Sequence, residues 1–309
     1  MVRRALRTES DYNRGLPAPI RWLRLALAVP GAVCSPVWRW SGRGTRVHWA
    51  RPLLWGLIAA AALWPFDAWL LGGLVAFREW LGGDIVREWG VLQQFGQGGS
   101  IVLIAIVIVL MDRQRAGRLW DWLAGIALAA AVVYPMKMLA GRPRPGLGRE
   151  PGASITDGMY SADTFLGPLG KHPFDEPTGL RHAWEFWADI SADLWSMPSA
   201  HTAYAVVAGV FLAAMYPRLR WLLVAMVSLV GLGRVAFGAH YPTDVAIGAA
   251  VGFAASLSAV RLGLGRRAVG LVRRSPGTER STAPSRGDSA GTTDAAAVGG
   301  TPASAAAAS

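Results

Sequence analysis

The sequence predicts an all-α membrane protein: a bundle of six transmembrane helices with its reactive residues gathered at one face. Three observations predict it. Of 309 residues, 52% are hydrophobic, a share that moves the prior from a soluble protein to an integral membrane one. Six apolar runs meet or approach the roughly 20 residues a helix needs to cross a bilayer core with its backbone bonds closed. The basic residues fall in alternate connections between those runs, as membrane topology requires.

The chain opens with a basic leader, residues 1–51, containing Arg39, Arg43, Arg46 and Arg51. Within it, residues 20–38 carry Pro30 and Pro36 and are short for a span, so an interfacial helix on the cytoplasmic side is expected. "GAVC" lacks a small-residue cleavage pattern, and "WRW" reads as an interface anchor. The six runs follow at about Pro52 to Leu74, Gly98 to Met111 (beginning near Phe95), Leu119 to Ala140, Pro198 to Tyr216, Trp221 to Ala239 and Pro242 to Leu262. The basic leader, "DRQRAGR", "PRLR" and the stretch with Arg261, Arg266 and Arg267 all lie on one side, cytoplasmic by the positive-inside rule. The tail, 263–309, becomes Ser, Thr, Ala, Gly and Pro and is expected to be disordered from about residue 275.

The other side receives a connection near residues 75–95, a long acidic loop 141–197 and the tight turn near residue 240. A loop of that length reads as a cover over a site. Inside it, Trp184, Trp187, Ile190 and Leu194 recur at helical spacing opposite Glu185, Asp189 and Asp193, which predicts an interfacial helix. Phe77, Trp80, Leu81, Ile85 and Trp89 form a second such face.

Composition also excludes. Cys34 is the lone cysteine, so no internal disulfide forms. The net charge of +11 is explained by topology, and six spans exclude a soluble nucleic-acid binder.

Three clusters remain that topology does not explain, and all reach the face opposite the basic connections. Lys137, one of only two lysines among 31 basic residues, sits with Arg144 and Pro145 after the third run. "MPSAH", Met197 to His201, opens the fourth. Arg234, His240 and Asp244 run from the fifth into the sixth. Lys137 alone reads as a snorkelling anchor, but a mid-helix arginine such as Arg234 costs roughly 2.5 to 3.5 kcal/mol in lipid. For a phosphate ligand each residue has a task. Lys137, Arg144 and Arg234 neutralise a dianion. Pro198 suits a helix first turn, which places Ser199, Ala200 and His201 where free N–H groups collect anions. Asp244, four residues from His240, is placed to hold one imidazole nitrogen and leave the other to attack phosphorus, with His201 to protonate the departing oxygen.

At these residues the chain resembles the type 2 phosphatidic acid phosphatase superfamily, whose pattern is K-x6-RP, PSGH and SR-x5-H-x3-D. Lys137, "MLAGRP" and Arg144-Pro145 meet the first motif, which leaves the first Arg-Pro pair, Arg142-Pro143, as spacer. Pro198, Ser199 and His201 meet the second, with Ala200 in place of glycine. Arg234, "VAFGA", His240, "YPT" and Asp244 meet the third, with Gly233 in place of serine. The resemblance covers residues 137–244 by motif and about 52–262 by helix layout. It implies a histidine phosphatase without metal or other cofactor, forming a phosphohistidine on His240. It further implies that Asp244 orients His240, that His201 is the general acid, and that Lys137, Arg144, Ser199, Ala200 and Arg234 bind phosphate.

The expected function is hydrolysis of a lipid phosphate or lipid diphosphate, such as phosphatidic acid, phosphatidylglycerophosphate or an isoprenoid diphosphate. The expected setting is the outer face of a bacterial inner membrane, with both termini cytoplasmic. The rivals are a lipid phosphotransferase using the same site and a non-catalytic lipid-phosphate binder or transporter. His48, His172 and His182 have no chemical company and receive no role.

Overall fold

A computed structural model describes residues 49–172, 182–187 and 189–274. The leader helix expected at 20–38 and the tail beyond 274 lie outside the described residues. Within them the chain is helical, with one isolated bridge, Lys171 to His182, as its β feature. The helices are α1 (Ala50–Leu63), α2 (Asp67–Trp80), α3 (Gly83–Leu92), α4 (Gly98–Met111), α5 (Leu119–Ala140), α6 (Ala200–Met215), α7 (Arg220–Ala236), α8 (Pro242–Leu262) and α9 (Leu264–Arg274).

Four helical stretches are long and apolar enough to cross a bilayer: Ala50–Trp80, Ala116–Ala140, Pro217–Ala236 and Pro242–Leu262. Gly98–Met111 and Ala200–Met215 are shorter apolar helices. The protein is an integral membrane protein of the all-helical class.

The first stretch departs from the uninterrupted span expected from Pro52 to Leu74. It breaks at a 3-10 turn, Trp64–Phe66, built on Pro65, which lacks the N–H a continuing helix needs. A straight helix of its 31 residues would measure about 46 Å, against a hydrocarbon core of about 30 Å. After the bend, Leu71 and Val75 pack with Val235 and Tyr241, and Arg78 lies over the Phe237 ring. Those partners come from the last turn of α7 and the entry to α8, so α2 lies across the end of the bundle.

At the centre stands α8, in contact with α1, α5 and α6. Its small residues permit close approach. A Cβ on Gly248 would lie 2.4 Å from the Ser199 carbonyl oxygen, and one on Gly252 would lie 2.3 Å from that of Ala203. Glycine at both places lets α6 and α8 touch backbone to backbone, which fixes Ser199 beside Asp244.

The basic connections converge at one end. There Tyr216 donates to Asp112, Arg115 pairs with Asp112, and Arg266 of α9 pairs with Asp121 of α5. The three motif clusters occupy the other end.

Above that end, the helix expected across 184–194 does not form as one element. Residues 183–187 are turns, closed where Glu185 accepts the His182 N–H at 3.0 Å, and a 3-10 helix spans Asp189–Leu194. Trp184, Phe186 and Trp187 form an exposed edge-to-face cluster. The second expected face also splits: Trp80 is exposed, while Trp89 is buried and donates to the Leu229 carbonyl of α7 at 2.9 Å.

Candidate active site

His240 is delivered by a tight reversal. The Arg234 carbonyl accepts from the N–H groups of both Ala239 and His240, at 3.0 and 3.1 Å, folding the chain back at the end of α7. The imidazole is 1% exposed. Its Nδ1 lies 2.6 Å from the Ser196 carbonyl oxygen. A carbonyl only accepts, so Nδ1 carries the proton and Nε2 keeps its lone pair. Burial holds the His240 imidazole far below its ordinary range, at about 3, with Lys137 and Arg234 adding to the effect and Asp244 opposing it.

Asp244 differs from expectation. Its Oδ2 stands 3.8 Å from His240 Nδ1, too far for a hydrogen bond. Instead Oδ2 accepts the Ser196 hydroxyl at 2.6 Å and the Tyr241 N–H at 2.9 Å. The carboxylate therefore holds His240 through Ser196, whose hydroxyl it binds and whose carbonyl holds the ring. The reason is local: Asp244 occupies the first turn of α8 and folds back to cap it, which aims it at the backbone before the ring.

Lys137, Arg144 and Arg234, from three elements, lie in one another's electrostatic fields. Lys137, on the last turn of α5, is 4% exposed and donates to the Trp195 carbonyl at 2.5 Å. Arg144 donates through Nε to the Ala192 carbonyl at 2.9 Å, leaving its terminal nitrogens outside that bond; burial lowers its pKa. The half-buried Arg234 has a buried Nε with no hydrogen-bond partner among the described residues. His201 lies in the combined field of Arg234, Arg144 and Lys137. No carboxylate forms an ion pair with any of the three among the described residues.

Ser199 is the N-cap of α6 and fully buried, accepting from Thr202 N at 3.4 Å and Thr202 Oγ1 at 3.0 Å. Pro198 accordingly precedes the cap and does not enter the first turn. Ala200 packs on the apolar cluster around Val133 and Ile247.

Gly233 has a direct explanation. A Cβ there would meet Gln93 Cγ at 2.7 Å, Gln93 Cδ at 2.8 Å and Trp89 Nε1 at 3.0 Å. The space a serine side chain would occupy is filled from α3 and the turn that follows it.

Sequence reasoning missed two residues. Arg142, read as spacer, is 1% exposed and bridges two carboxylates: Nη2 to Asp67 Oδ2 at 2.7 Å and Nη1 to Asp244 Oδ1 at 2.5 Å. Asp67 in turn accepts the Thr243 N–H at 3.0 Å. A signal for Asp67 was present, because an acid inside an apolar run demands a buried partner. Among the described residues, no group of three His, Cys, Asp or Glu side chains is placed to hold a metal ion.

Residues 118–267 match the model of the PAP2 superfamily. That stretch contains all three motif clusters, and over it the chain is similar to the PAP2 superfamily. Two solved structures are similar. The first transmembrane PAP2 type phosphatidylglycerolphosphate phosphatase from Bacillus subtilis shares 18% identity over 72% of this chain and 98% of its own, with a TM-score of 0.46. Aquifex aeolicus LpxE shares 17% identity over 62% of this chain and 94% of its own, with a TM-score of 0.42.

Proposed function

We propose that the protein is a membrane lipid phosphatase that hydrolyses a lipid phosphate or lipid diphosphate through a phosphohistidine on His240. The observation that carries this reading is the state of the imidazole: Nδ1 is committed to the Ser196 carbonyl and the ring is neutral, so the Nε2 lone pair is available beside Lys137, Arg144 and Arg234.

In the first step Nε2 attacks phosphorus and the bond to the lipid oxygen breaks. His201 supplies the proton to that oxygen. The imidazolium charge that develops on His240 is stabilised through Ser196 by Asp244. Lys137, Arg144 and Arg234 neutralise the transferring phosphoryl oxygens, and the backbone around Ser199 and Ala200 at the α6 N-terminus adds its dipole. In the second step water, with His201 now as base, attacks the phosphohistidine and frees inorganic phosphate and the ring. The cations supply the charge neutralisation, so the proposed mechanism uses no metal.

The same reading has six spans, with α4 and α6 as the two short ones. Residues 113–118, 218–220 and 261–267 carry the positive charge of the cytoplasmic side, together with both termini. The site then faces outward from a bacterial-type inner membrane and takes its substrate from the outer leaflet, where Trp184, Phe186 and Trp187 are exposed.

The test is phosphate release by the detergent-purified protein across a panel of lipid monophosphates and diphosphates, with His240→Ala as control. Release by the wild type alone supports the reading. Turnover retained by His240→Ala removes the assigned nucleophile. Transfer of phosphate to an added lipid acceptor in preference to water replaces hydrolysis by phosphotransfer.

A further inference from the structure

We infer that Arg142 is a positioning residue that holds the Asp244 carboxylate away from the phosphate-binding cations, with Asp67 as its anchor. The inference rests on the reading of Lys137, Arg144 and Arg234 as phosphate ligands.

Asp244 is fully buried, and its field reaches both Lys137 and Arg144. A buried carboxylate with an uncommitted oxygen at that position would pair with the nearest cation and occupy the place of a phosphate oxygen. The structure leaves no such oxygen. Oδ1 is taken by Arg142 at 2.5 Å, and Oδ2 by Ser196 at 2.6 Å and Tyr241 N at 2.9 Å. Lys137 and Arg144 correspondingly donate to the carbonyls of Trp195 and Ala192, neutral acceptors that leave their charge unspent.

Arg142 cannot itself serve as a phosphate ligand, because its guanidinium is already saturated. Nε donates to the Ala162 carbonyl at 3.1 Å, Nη1 to Thr243 Oγ1 at 2.8 Å and to Asp244, and Nη2 to Asp67 at 2.7 Å and to Ala162. Its plane is also confined by aromatic rings: Tyr241 lies 4.2 Å from Cζ, and Trp64 and Phe165 each lie 5.2 Å away. Asp67 sits at the bend before α2 and grips the Thr243 hydroxyl as well, at 2.5 Å, so the guanidinium is fixed between α8 and the bend. Two acids share one arginine here, and a lysine, with a single nitrogen, could not span them in the same geometry.

The test is direct binding of orthovanadate, a phosphate mimic, to the full-length protein in detergent, read from the ligand-dependent rise in Tm. Arg142→Gln is expected to weaken binding about tenfold or more, because the freed carboxylate competes for the cations. Adding Asp244→Asn removes the competitor, and the double variant is expected to recover to within about threefold of wild type while its turnover stays low. A residue that merely supported the fold would leave the double variant as weak as the single one. Should Arg142→Gln fail to fold, Arg142→Lys and Arg142→Lys/Asp244→Asn provide the same comparison with the positive charge retained. Wild-type affinity in the single variant, or no recovery in the double, overturns the inference. A wild type that neither binds vanadate nor releases phosphate instead overturns the proposed function, and the inference with it.

Discussion

Replacing Gly233 by serine restores the residue of the resembled motif and is expected to damage this protein. The new Cβ would stand 2.7 Å from Gln93 Cγ and 2.8 Å from its Cδ, distances that real Cβ contacts do not tolerate. Gln93 is 4% exposed and Trp89 is 7% exposed with its indole N–H committed to Leu229, so neither side chain can simply swing into lipid or water. Overpacking of this kind costs about 1 to 3 kcal/mol. The hydroxyl can offset part of that by donating to Gln93 Oε1, which lacks a partner among the described residues, a bond contributing about 0.5 to 1.5 kcal/mol. Taken at mid-range, the net effect is a loss of about 1 kcal/mol and a Tm lowered by roughly 2 to 4 °C. Arg234 is the next residue and moves with the backbone, so kcat/KM falls about tenfold or more. Thermal unfolding of four proteins (wild type, Gly233→Ser, Gln93→Ala and the double variant) measures the coupling. In the Gln93→Ala background the contacts with Gln93 are gone, leaving Trp89 Nε1 at 3.0 Å, and the serine should cost about 1 kcal/mol less than in the wild type. Equal cost in both backgrounds, or a Gly233→Ser protein as stable and active as wild type, refutes the steric account.

Four further outcomes follow from the site. His240 is expected to give the neutral imidazole signature, with the proton on Nδ1, in 15N-histidine NMR spectra at pH 5; a charged ring there contradicts the buried geometry. Its folded pKa, about 3, lies below the ordinary 6.5. The stability this contributes is therefore complete above pH 6.5 and is lost as pH falls toward 3, amounting to about 2 kcal/mol by pH 5 in a pH-dependent unfolding series. Ser196→Ala retains the carbonyl that holds His240 but removes the donor to Asp244, so kcat should fall about tenfold with KM little changed; loss of substrate affinity in its place would show that Ser196 acts on the phosphate pocket. Phosphate release should survive excess EDTA, and restoration of a lost activity by added Mg²⁺ would contradict a mechanism carried by the three cations alone.

The sequence made the convergence of Lys137, Arg144, His201, Arg234, His240 and Asp244 legible because each stands within a few residues of an end of an apolar run. Helix ends at one side of a membrane are forced into one layer. Local chemistry within that layer was less legible. Nothing in "GRPRP" distinguishes Arg144, which rests on the Ala192 carbonyl, from the arginine two residues earlier that turns inward between two acids. The difference is made by Asp67, 75 residues away in sequence and displaced from a straight span by the bend at Pro65. Periodicity likewise placed Trp184, Trp187 and Leu194 on one helical face, yet Leu194 is fully buried while both tryptophans stay exposed. Short-range hydrogen bonds at His182 and Glu185 outweighed the pattern.

What joins these misses is charge accounting across distant segments. An apolar run containing Asp67 announces that a buried counter-charge exists, since an unpaired carboxylate there costs several kcal/mol. The pairing that results is selective. Both acids buried at that end, Asp67 and Asp244, are bound by the one arginine without access to the pocket, while the cations that do have access rest on carbonyls or, like Arg234 Nε, on no partner among the described residues. Had the acids instead paired with Lys137 or Arg234, the same residues at the same spacing would have made a neutral, self-satisfied cluster with little affinity for an anion. The motif supplies the cations, and the partner given to each acid decides whether they remain available.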